Sequence, residues 1–210
     1  MDYKETFHII LKQYKKEGKP IFVDFRKLVN SIKFTERGSH SIHPYTAKLL
    51  PNIPHFFLNN SFFIKKGGKI LDPFCGSGTV LLEGKFANLD PYGSDSNPLA
   101  RLITRVKCNN FDIDQIHEYN IFLKNTINNS DDNVFLIKEK NIDFWFEPHI
   151  KKQLSIIRNA IVQIDNIKYR EFYFVCFSNC VRKVSFADSR ISVPVKINPD
   201  RYSDESIQKK

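Results

Sequence analysis

Residues 72–79, with the sequence DPFCGSGT, combine a carboxylate with two closely spaced glycines directly after a short apolar run at residues 69–71. A phosphate-binding loop would need a lysine after its last glycine, and a dinucleotide fingerprint would need a third glycine; this segment has neither. Open α/β sheets bind ligands at the carboxyl ends of their strands, where glycines let the backbone approach the ligand closely. Asp72 at such a strand end therefore favours a positively charged or hydroxyl-bearing ligand over a pyrophosphate.

A second acidic residue follows at the spacing expected of a neighbouring strand. Residues 79–87 predict a helix, and residues 92–95 predict a short strand that ends in Asp95. Asp95 lies about 20 residues beyond the first turn, the spacing at which such folds hold a ribose hydroxyl. Two carboxylates at the ends of two adjacent strands suit an adenosyl ligand.

Three segments, taken in order, resemble the DNA methyltransferases that transfer a methyl group from S-adenosylmethionine to the exocyclic amino group of adenine or cytosine. Residues 72–79 are similar to the cofactor-binding motif of that family, and residues 93–100 (GSDSNPLA) to its next acidic motif. Residues 41–51 (SIHPYTAKLLP) resemble the segment that closes over the methionine part of the cofactor. The resemblance spans roughly residues 38–111 and implies an α/β, Rossmann-like fold that binds S-adenosylmethionine.

The resemblance also implies which residues bind the cofactor. Asp72 would orient it through the loop amides or meet its methionine amino group, and Thr79 is equally suited to cap the following helix. His43 is more typical of a turn than of a ligand contact. No metal is expected at this site. The residues expected to bind the cofactor are Tyr45, Asp72, Pro73, Phe74, Gly76, Gly78, Thr79, Asp95, Ser96 and Asn97.

The catalytic motif of that family is absent from the sequence. Its members use an Asp, Asn or Ser followed by Pro-Pro and an aromatic residue to accept the target amine, and no Pro-Pro pair occurs in the 210 residues. Residues 90–92 lie where a loop between a helix and a strand is expected, and residues 198–200 have an acid in place of the aromatic residue. The catalytic residues are therefore unassigned, and we expect a subunit or fragment that is inactive without a second half.

Composition and charge indicate a globular protein with an acidic partner. Apolar residues make up 41% of the chain and charged residues 26%, which is ordinary globular composition. The absence of a long apolar run and of a signal-peptide pattern predicts a cytoplasmic protein without a membrane span. A net charge of +9 favours DNA as a partner, although an AT-rich genome would also enrich lysine. Four scattered cysteines indicate neither a disulfide framework nor a zinc site.

The pattern of apolar residues predicts few strands and many helices. Only two to four strands can be assigned, so the sheet is expected to be incomplete and its unpaired edge to be covered by a second polypeptide, unless the chain is a truncated remnant. The predicted division is an amino-terminal accessory segment (1–37), a cofactor-binding α/β core (38–130) and a helical extension (131–210) that faces nucleic acid or a partner. Helices are predicted at residues 2–18, near 51–58, from 98, at 112–128, beyond 148 and from 165, and a further strand at 134–137.

Three hypotheses of function remain open from the sequence. The first is a subunit or fragment of a DNA amino-methyltransferase; the second is an RNA methyltransferase, because some RNA-modifying enzymes have a similar loop. The third is a non-catalytic protein that binds the cofactor or DNA. The segment at residues 43–45 favours DNA over RNA, and the missing motif favours the third hypothesis over an enzyme acting alone. Adenine and cytosine are not distinguished.

Overall fold

The structure, a computed structural model, contains two compact units, residues 1–108 and residues 109–210. The described residues are 3–32, 37–46, 48–130, 135–188 and 194–197. In the first unit the elements are α1 (Tyr3–Glu17), α2 (Phe25–Asn30), α3 (Asn52–Leu58), β1 (Lys69–Asp72), α4 (Thr79–Phe86), β2 (Asp90–Gly93) and α5 (Pro98–Lys107). In the second unit they are α6 (Ile113–Asn128), α7 (Ile142–Trp145), α8 (Pro148–Val162) and α9 (Ile167–Lys183).

Two parallel strands with a crossover helix form the centre of the first unit. β1 pairs with β2 in the register Lys69↔Asp90 to Asp72↔Gly93, and α4 connects the two strands. Parallel strands need a crossover of this kind, which places both of their carboxyl ends at the same edge of the sheet. The predicted strand before the loop and the predicted helix after it are therefore confirmed.

β2 lies two residues earlier than the predicted strand at residues 92–95. The main-chain N–H of Asp90 donates to Gly68 O at 3.0 Å, and that of Ser94 donates to Asp72 O at 3.0 Å. Alternation along the strand then turns the nitrogen of Pro91 away from β1, so its missing N–H costs no ladder hydrogen bond. The string at residues 90–92, which was expected to be a loop, is consequently part of the strand.

An aromatic cluster joins the three amino-terminal helices. Phe56 of α3, only 2% exposed, packs with Tyr3 and Phe7 of α1 and with the buried face of α2. Asp24 caps α2, because its carboxylate accepts a hydrogen bond from the main-chain N–H of Lys27 at 3.0 Å. The sequence predicted α1 and the start of α3 but not the short helix α2.

α5 follows the end of β2 and packs against the loop that precedes α4. Asn97 caps it by accepting a hydrogen bond from the main-chain N–H of Leu99 at 2.9 Å, and Pro98 occupies the first turn, where no N–H is needed. The sequence predicted a buried stripe of Leu99, Leu102, Ile103 and Val106; Ile103 and Val106 are buried, whereas Leu99 and Leu102 are only partly buried. Because α5 packs against this loop, it belongs to the candidate site.

The regular secondary structure of the second unit's described residues is helical, apart from a single bridge between Ala187 and Lys196. α6, α8 and α9 share a core around Leu123, Ile161 and Tyr169. The predicted strand at residues 134–137 is wrong over residues 135–137, which have no regular structure, and Val134 lies outside the described residues.

The parallel strands of the first unit and their crossover helix are compatible with a Rossmann-like fold. None of the helices formed by the described residues is long and apolar enough to cross a membrane. The three-part division predicted from the sequence, at residues 37/38 and 130/131, stays a prediction.

Candidate functional site

The loop between β1 and α4 is held in place by main-chain hydrogen bonds. The N–H of Cys75 donates to Ser94 O at 2.9 Å, which joins the loop to the residues just after β2. Within the loop, the N–H of Gly78 donates to Cys75 O at 2.7 Å. The loop is therefore a fixed surface at the carboxyl ends of both strands, where open α/β sheets bind their ligands.

Asp95 connects the end of β2 to this loop through its carboxylate. Its Oδ2 accepts a hydrogen bond from the N–H of Gly76 at 2.8 Å, and its Oδ1 accepts one from the N–H of Asn97 at 2.8 Å. The hydrogen bonds from Asn97 and Gly76 lower the pKa of this carboxyl, since they stabilise its ionised form. A carboxylate oxygen has more than one lone pair, so Asp95 can accept further hydrogen bonds from a ligand hydroxyl.

Asp72 is the last residue of β1 and lies at the mouth of the loop. Its Oδ1 accepts a hydrogen bond from the N–H of Phe74 at 3.1 Å, which makes a tight turn at the start of the loop. Because of this turn the ring of Phe74 projects outward and is 87% exposed. The site therefore presents an acidic group and an uncovered aromatic face side by side.

Gly76 and Gly78 are required in the loop for different structural reasons. Both have positive φ, +49° at Gly76 and +75° at Gly78, a conformation that other residues adopt at a cost. A Cβ atom at Gly78 would lie 2.7 Å from Thr104 Cγ2, whereas one at Gly76 would meet only Tyr45 Cε1 at 3.9 Å. Gly78 thus permits the loop to contact α5, and Thr104 completes that contact by donating from Oγ1 to Gly76 O at 2.9 Å.

A cavity of about 480 Å³ opens beside this loop. Its volume lies in the range of about 300–1,000 Å³ that is typical of small-molecule sites. Five of the residues predicted from the sequence line it, namely Tyr45, Asp72, Phe74, Gly76 and Thr79, and it is also lined by Lys48, Leu49, Leu71, Cys75, Ser77 and Val80. Its wall does not include Pro73, Gly78, Asp95, Ser96 or Asn97, the other five predicted residues.

Two of the residues outside the cavity wall are tied to residues that line it. Asp95 holds Gly76 as described, and Asn97 donates from Nδ2 to the hydroxyl of Tyr45 at 3.3 Å. The second contact joins the segment before α3 to the segment after β2. His43, by contrast, is buried away from the cavity wall, and burial together with the charge of Lys107 lowers its pKa.

Comparisons with known proteins identify the relatives of this chain. Residues 44–126 match the family described as UPF0020: RMKL-like, methyltransferase domain. The chain is 30% identical over 163 residues to Type II methyltransferase M.MvaI of Kocuria varians, covering 72% of this chain and 35% of that protein. It is 29% identical over 159 residues to Type II methyltransferase M.MjaII of Methanocaldococcus jannaschii, covering 73% of this chain and 29% of that protein. The chain is similar to these two methyltransferases over nearly three quarters of its length.

The family match includes most of the site described above. Tyr45, residues 72–79 and Asp95 all fall within residues 44–126. The chain spans about a third of the length of the two methyltransferases, 35% and 29% respectively. No solved structure matches the chain.

Sequence reasoning missed the basic residues of this candidate site. Lys48 lines the cavity and donates from Nζ to His40 O at 3.2 Å. Lys107 is 1% exposed, and its Nζ lies 3.4 Å from the buried hydroxyl of Ser77. The sequence did contain a signal that Lys107 is buried, because Lys107 follows Ile103 by four positions and so lies on the apolar face of α5.

Behind the cavity, a buried carboxylate joins three segments of the first unit. Glu83 of α4 is 1% exposed and contacts Arg37 Nη2, His40 Nε2 at 2.8 Å and His55 Nδ1 at 3.0 Å. Burial alone would raise the pKa of Glu83, but the hydrogen bonds from His40, His55 and Arg37 lower it to about 2. Arg37 also stacks on the ring of Phe86 at 4.6 Å. The cluster therefore fixes α4, and with it the loop, against the segments before the strands.

The cluster is not arranged as a metal centre. No group of three or more His, Cys, Asp or Glu side chains in the described part of the chain is placed to hold a metal ion. The same segments instead supply Arg37, whose guanidinium provides the positive charge beside Glu83.

Proposed function

We propose that the first unit is the S-adenosylmethionine-binding part of a DNA methyltransferase that methylates the exocyclic amino group of adenine or cytosine. The main support is the pair of acidic residues at the ends of β1 and β2, of which Asp95 binds the loop through Gly76 N beside the cavity. Acidic groups at this position can bind hydroxyl and ammonium groups of a ligand, and the exposed ring of Phe74 can pack on an apolar one. The family relationship makes S-adenosylmethionine the ligand of choice.

The residues of the site fit the parts of that cofactor. Asp95 would accept hydrogen bonds from the ribose hydroxyls, as the acid after the second strand does in related folds. Asp72 would attract the positively charged end, and Tyr45, fixed by Asn97, would close the cavity from the side of α3. The cofactor would supply the methyl group as an electrophile, so the protein's contribution is position. Pro73, Gly78 and Ser96 would shape the loop and the turn around it.

We also propose that the sheet of a complete Rossmann-like fold includes strands from outside these residues. Parallel sheets are normally covered on both faces, yet Leu71 of β1 is 70% exposed and Tyr92 of β2 is 49% exposed. A two-stranded sheet is also too small to be stable without further packing. A second polypeptide, or further sequence of the same protein, would complete the sheet and contribute the Pro-Pro-aromatic motif that these residues lack.

DNA is the proposed macromolecular substrate, and the cytoplasm the proposed location. Both relatives are Type II methyltransferases, and the net charge of +9 favours a polyanion. In such a reaction the target base would be turned out of the duplex so that its amine reaches the methyl group. An RNA substrate and a non-catalytic binding role are the alternatives that the following experiments separate from this proposal.

Calorimetric titration with S-adenosylmethionine tests the cofactor site. We expect wild-type protein to bind, and Asp95→Asn and Asp72→Asn to weaken binding by about tenfold or more, since each removes a charge-assisted hydrogen bond to the ligand. Asp90→Asn is the matched control, because Asp90 lies at the opposite end of β2. Wild-type protein without affinity for the cofactor would refute the proposal.

A methyl-transfer assay tests the missing catalytic motif. The 210-residue chain, incubated with duplex DNA and S-adenosylmethionine, should produce no N6-methyladenine or N4-methylcytosine by mass spectrometry of the digested DNA. Addition of a polypeptide that carries a Pro-Pro-aromatic motif should permit transfer. Strong transfer by the chain alone would show that the acceptor residues lie within it, and transfer to RNA instead of DNA would favour the RNA alternative.

A further inference from the structure

Lys107 is a buried lysine directly beneath the loop of the candidate site. It is 1% exposed, and Ser77 Oγ, at 3.4 Å, is the hydrogen-bond partner of its Nζ among the described residues. No carboxylate in that part of the chain forms an ion pair with it. Burial, followed by the charge of Lys48, lowers the pKa of Lys107 to about 8. A cation in this position is costly unless an anion compensates it.

The amino terminus of α4 lies at the same side of the cavity. Gly78 precedes the helix and provides no side-chain cap, so the first N–H groups of α4 are not bonded by a capping side chain. Thr79 and Val80, the first two residues of the helix, line the cavity. Uncapped N–H groups and the helix dipole favour a negative charge at this end.

Lys48 adds a third positive group. It lines the cavity together with Ser77, and its charge acts on Lys107. Asp72, the acidic group of the cavity wall, lies at the end of β1. The cavity therefore has a basic region at Lys48, Ser77 and the start of α4, and an acidic group at Asp72. Such a distribution of charge complements a zwitterion.

We propose that Ser77, positioned by Lys107 and acting with Lys48 at the amino terminus of α4, binds the carboxylate of the ligand's amino-acid group, while Asp72 attracts its ammonium. This inference rests on the proposed function, in which S-adenosylmethionine binds in the cavity. Ser77 is the group in contact with the ligand, and Lys107 positions the Ser77 hydroxyl and neutralises the bound charge from below. The ligand thereby supplies a compensating anion, which no carboxylate of the described residues provides by an ion pair.

Titration with two ligands tests this assignment. S-adenosylmethionine and its decarboxylated analogue share the adenosine, the sulfonium and the amine, so they differ only in the carboxylate. We expect wild-type protein to bind S-adenosylmethionine at least about tenfold more tightly than the analogue, which corresponds to one charge-assisted interaction. In Lys107→Met that preference should shrink to about twofold, because affinity for S-adenosylmethionine falls while affinity for the analogue is retained.

The outcomes distinguish this inference from the proposed function. Wild-type protein that binds neither ligand refutes the cofactor site itself; equal binding of the two ligands leaves the cofactor site standing and overturns the carboxylate assignment. A Lys107→Met variant that loses affinity for both ligands to the same extent would also overturn it, since that is the result of a purely structural role. Lys66→Met, which removes an exposed lysine of the same unit, should keep the wild-type preference, and Ser77→Ala should reduce it.

Discussion

Glu83→Gln should destabilise the first unit at neutral pH and remove most of its sensitivity to acid. Glu83 has a pKa of about 2 in the folded protein against an ordinary value of 4.5, because His40, His55 and Arg37 stabilise its ionised form despite burial. At 1.36 kcal/mol per pKa unit, this difference is worth about 3 kcal/mol of unfolding free energy. The substitution keeps the size of the side chain but removes the charge that these three partners surround.

The direction of the pH dependence follows from the lowered pKa. A carboxyl whose pKa is depressed by folding contributes its full stability above the unfolded value of 4.5, and this contribution is lost as the pH falls towards about 2. Wild-type protein should therefore lose about 3 kcal/mol between pH 5 and pH 2 through this residue alone. Glu83→Gln should lack that loss, so the two proteins should converge in stability at low pH.

Urea unfolding at several pH values measures this difference. With a denaturant slope of about 2 kcal/mol/M, the variant's midpoint at pH 7 should lie about 1.5 M lower than that of wild type. Trp145, the only tryptophan, lies in the second unit, so far-UV circular dichroism and the amide exchange of α4 are the appropriate probes. Glu17→Gln, the same change at an exposed position of α1, is the control. Equal midpoints of Glu83→Gln and wild type at pH 7 would refute the assigned role of the cluster.

Three further substitutions have definite expected effects. Gly78→Ala should unfold at lower temperature, because its Cβ would lie 2.7 Å from Thr104 Cγ2 at a φ of +75°; a thermal midpoint equal to that of wild type would contradict this. Lys107→Met should raise the unfolding free energy at pH 7 by up to about 3 kcal/mol, since the pKa of Lys107 falls from 10.5 to about 8 on folding. Because the buried lysine loses its charge as the pH rises from 8 to 10.5, wild type should gain stability over that range and the variant should not. Tyr173→Phe should cost about 1 kcal/mol for its lost hydrogen bonds. Because burial raises the pKa of Tyr173 to about 12, its stabilising effect should disappear between pH 10 and pH 12, which ultraviolet titration can follow.

The loop and both acids of the site could be predicted because their signals are local. An apolar run, a carboxylate and two glycines within a few residues determine a strand end and a turn, and Asp95 is identified by its distance along the chain. The structure corrected the limits of β2, since the sequence does not show that the nitrogen of Pro91 faces away from β1. Local patterns therefore predicted the end of β1, the loop and the start of α4, but not every residue boundary.

The buried ionic groups could not be predicted, because they depend on contacts between distant segments. From the sequence alone, Glu83 is expected on the surface of α4, but the fold brings Arg37 and His55 into contact with it. Lys107 is likewise expected to be an exposed basic residue at the end of α5, but it is buried against Ser77. The strand expected at residues 134–137 failed for a similar reason. Ser155 accepts from Ile137 N at 3.0 Å through its Oγ, so a side chain of α8 replaces the strand partner there.

Glycine-selective NMR of the chain with S-adenosylmethionine is the most direct test of the central claim. The chain contains eight glycines, so ¹⁵N-glycine labelling gives one main-chain amide signal for each of them. We predict that the cofactor shifts the signals of Gly76 and Gly78 in the loop and leaves those of Gly18 and Gly67, at the end of α1 and before β1, unchanged. Saturating cofactor that shifts neither loop glycine would contradict the assignment of this loop as the S-adenosylmethionine site.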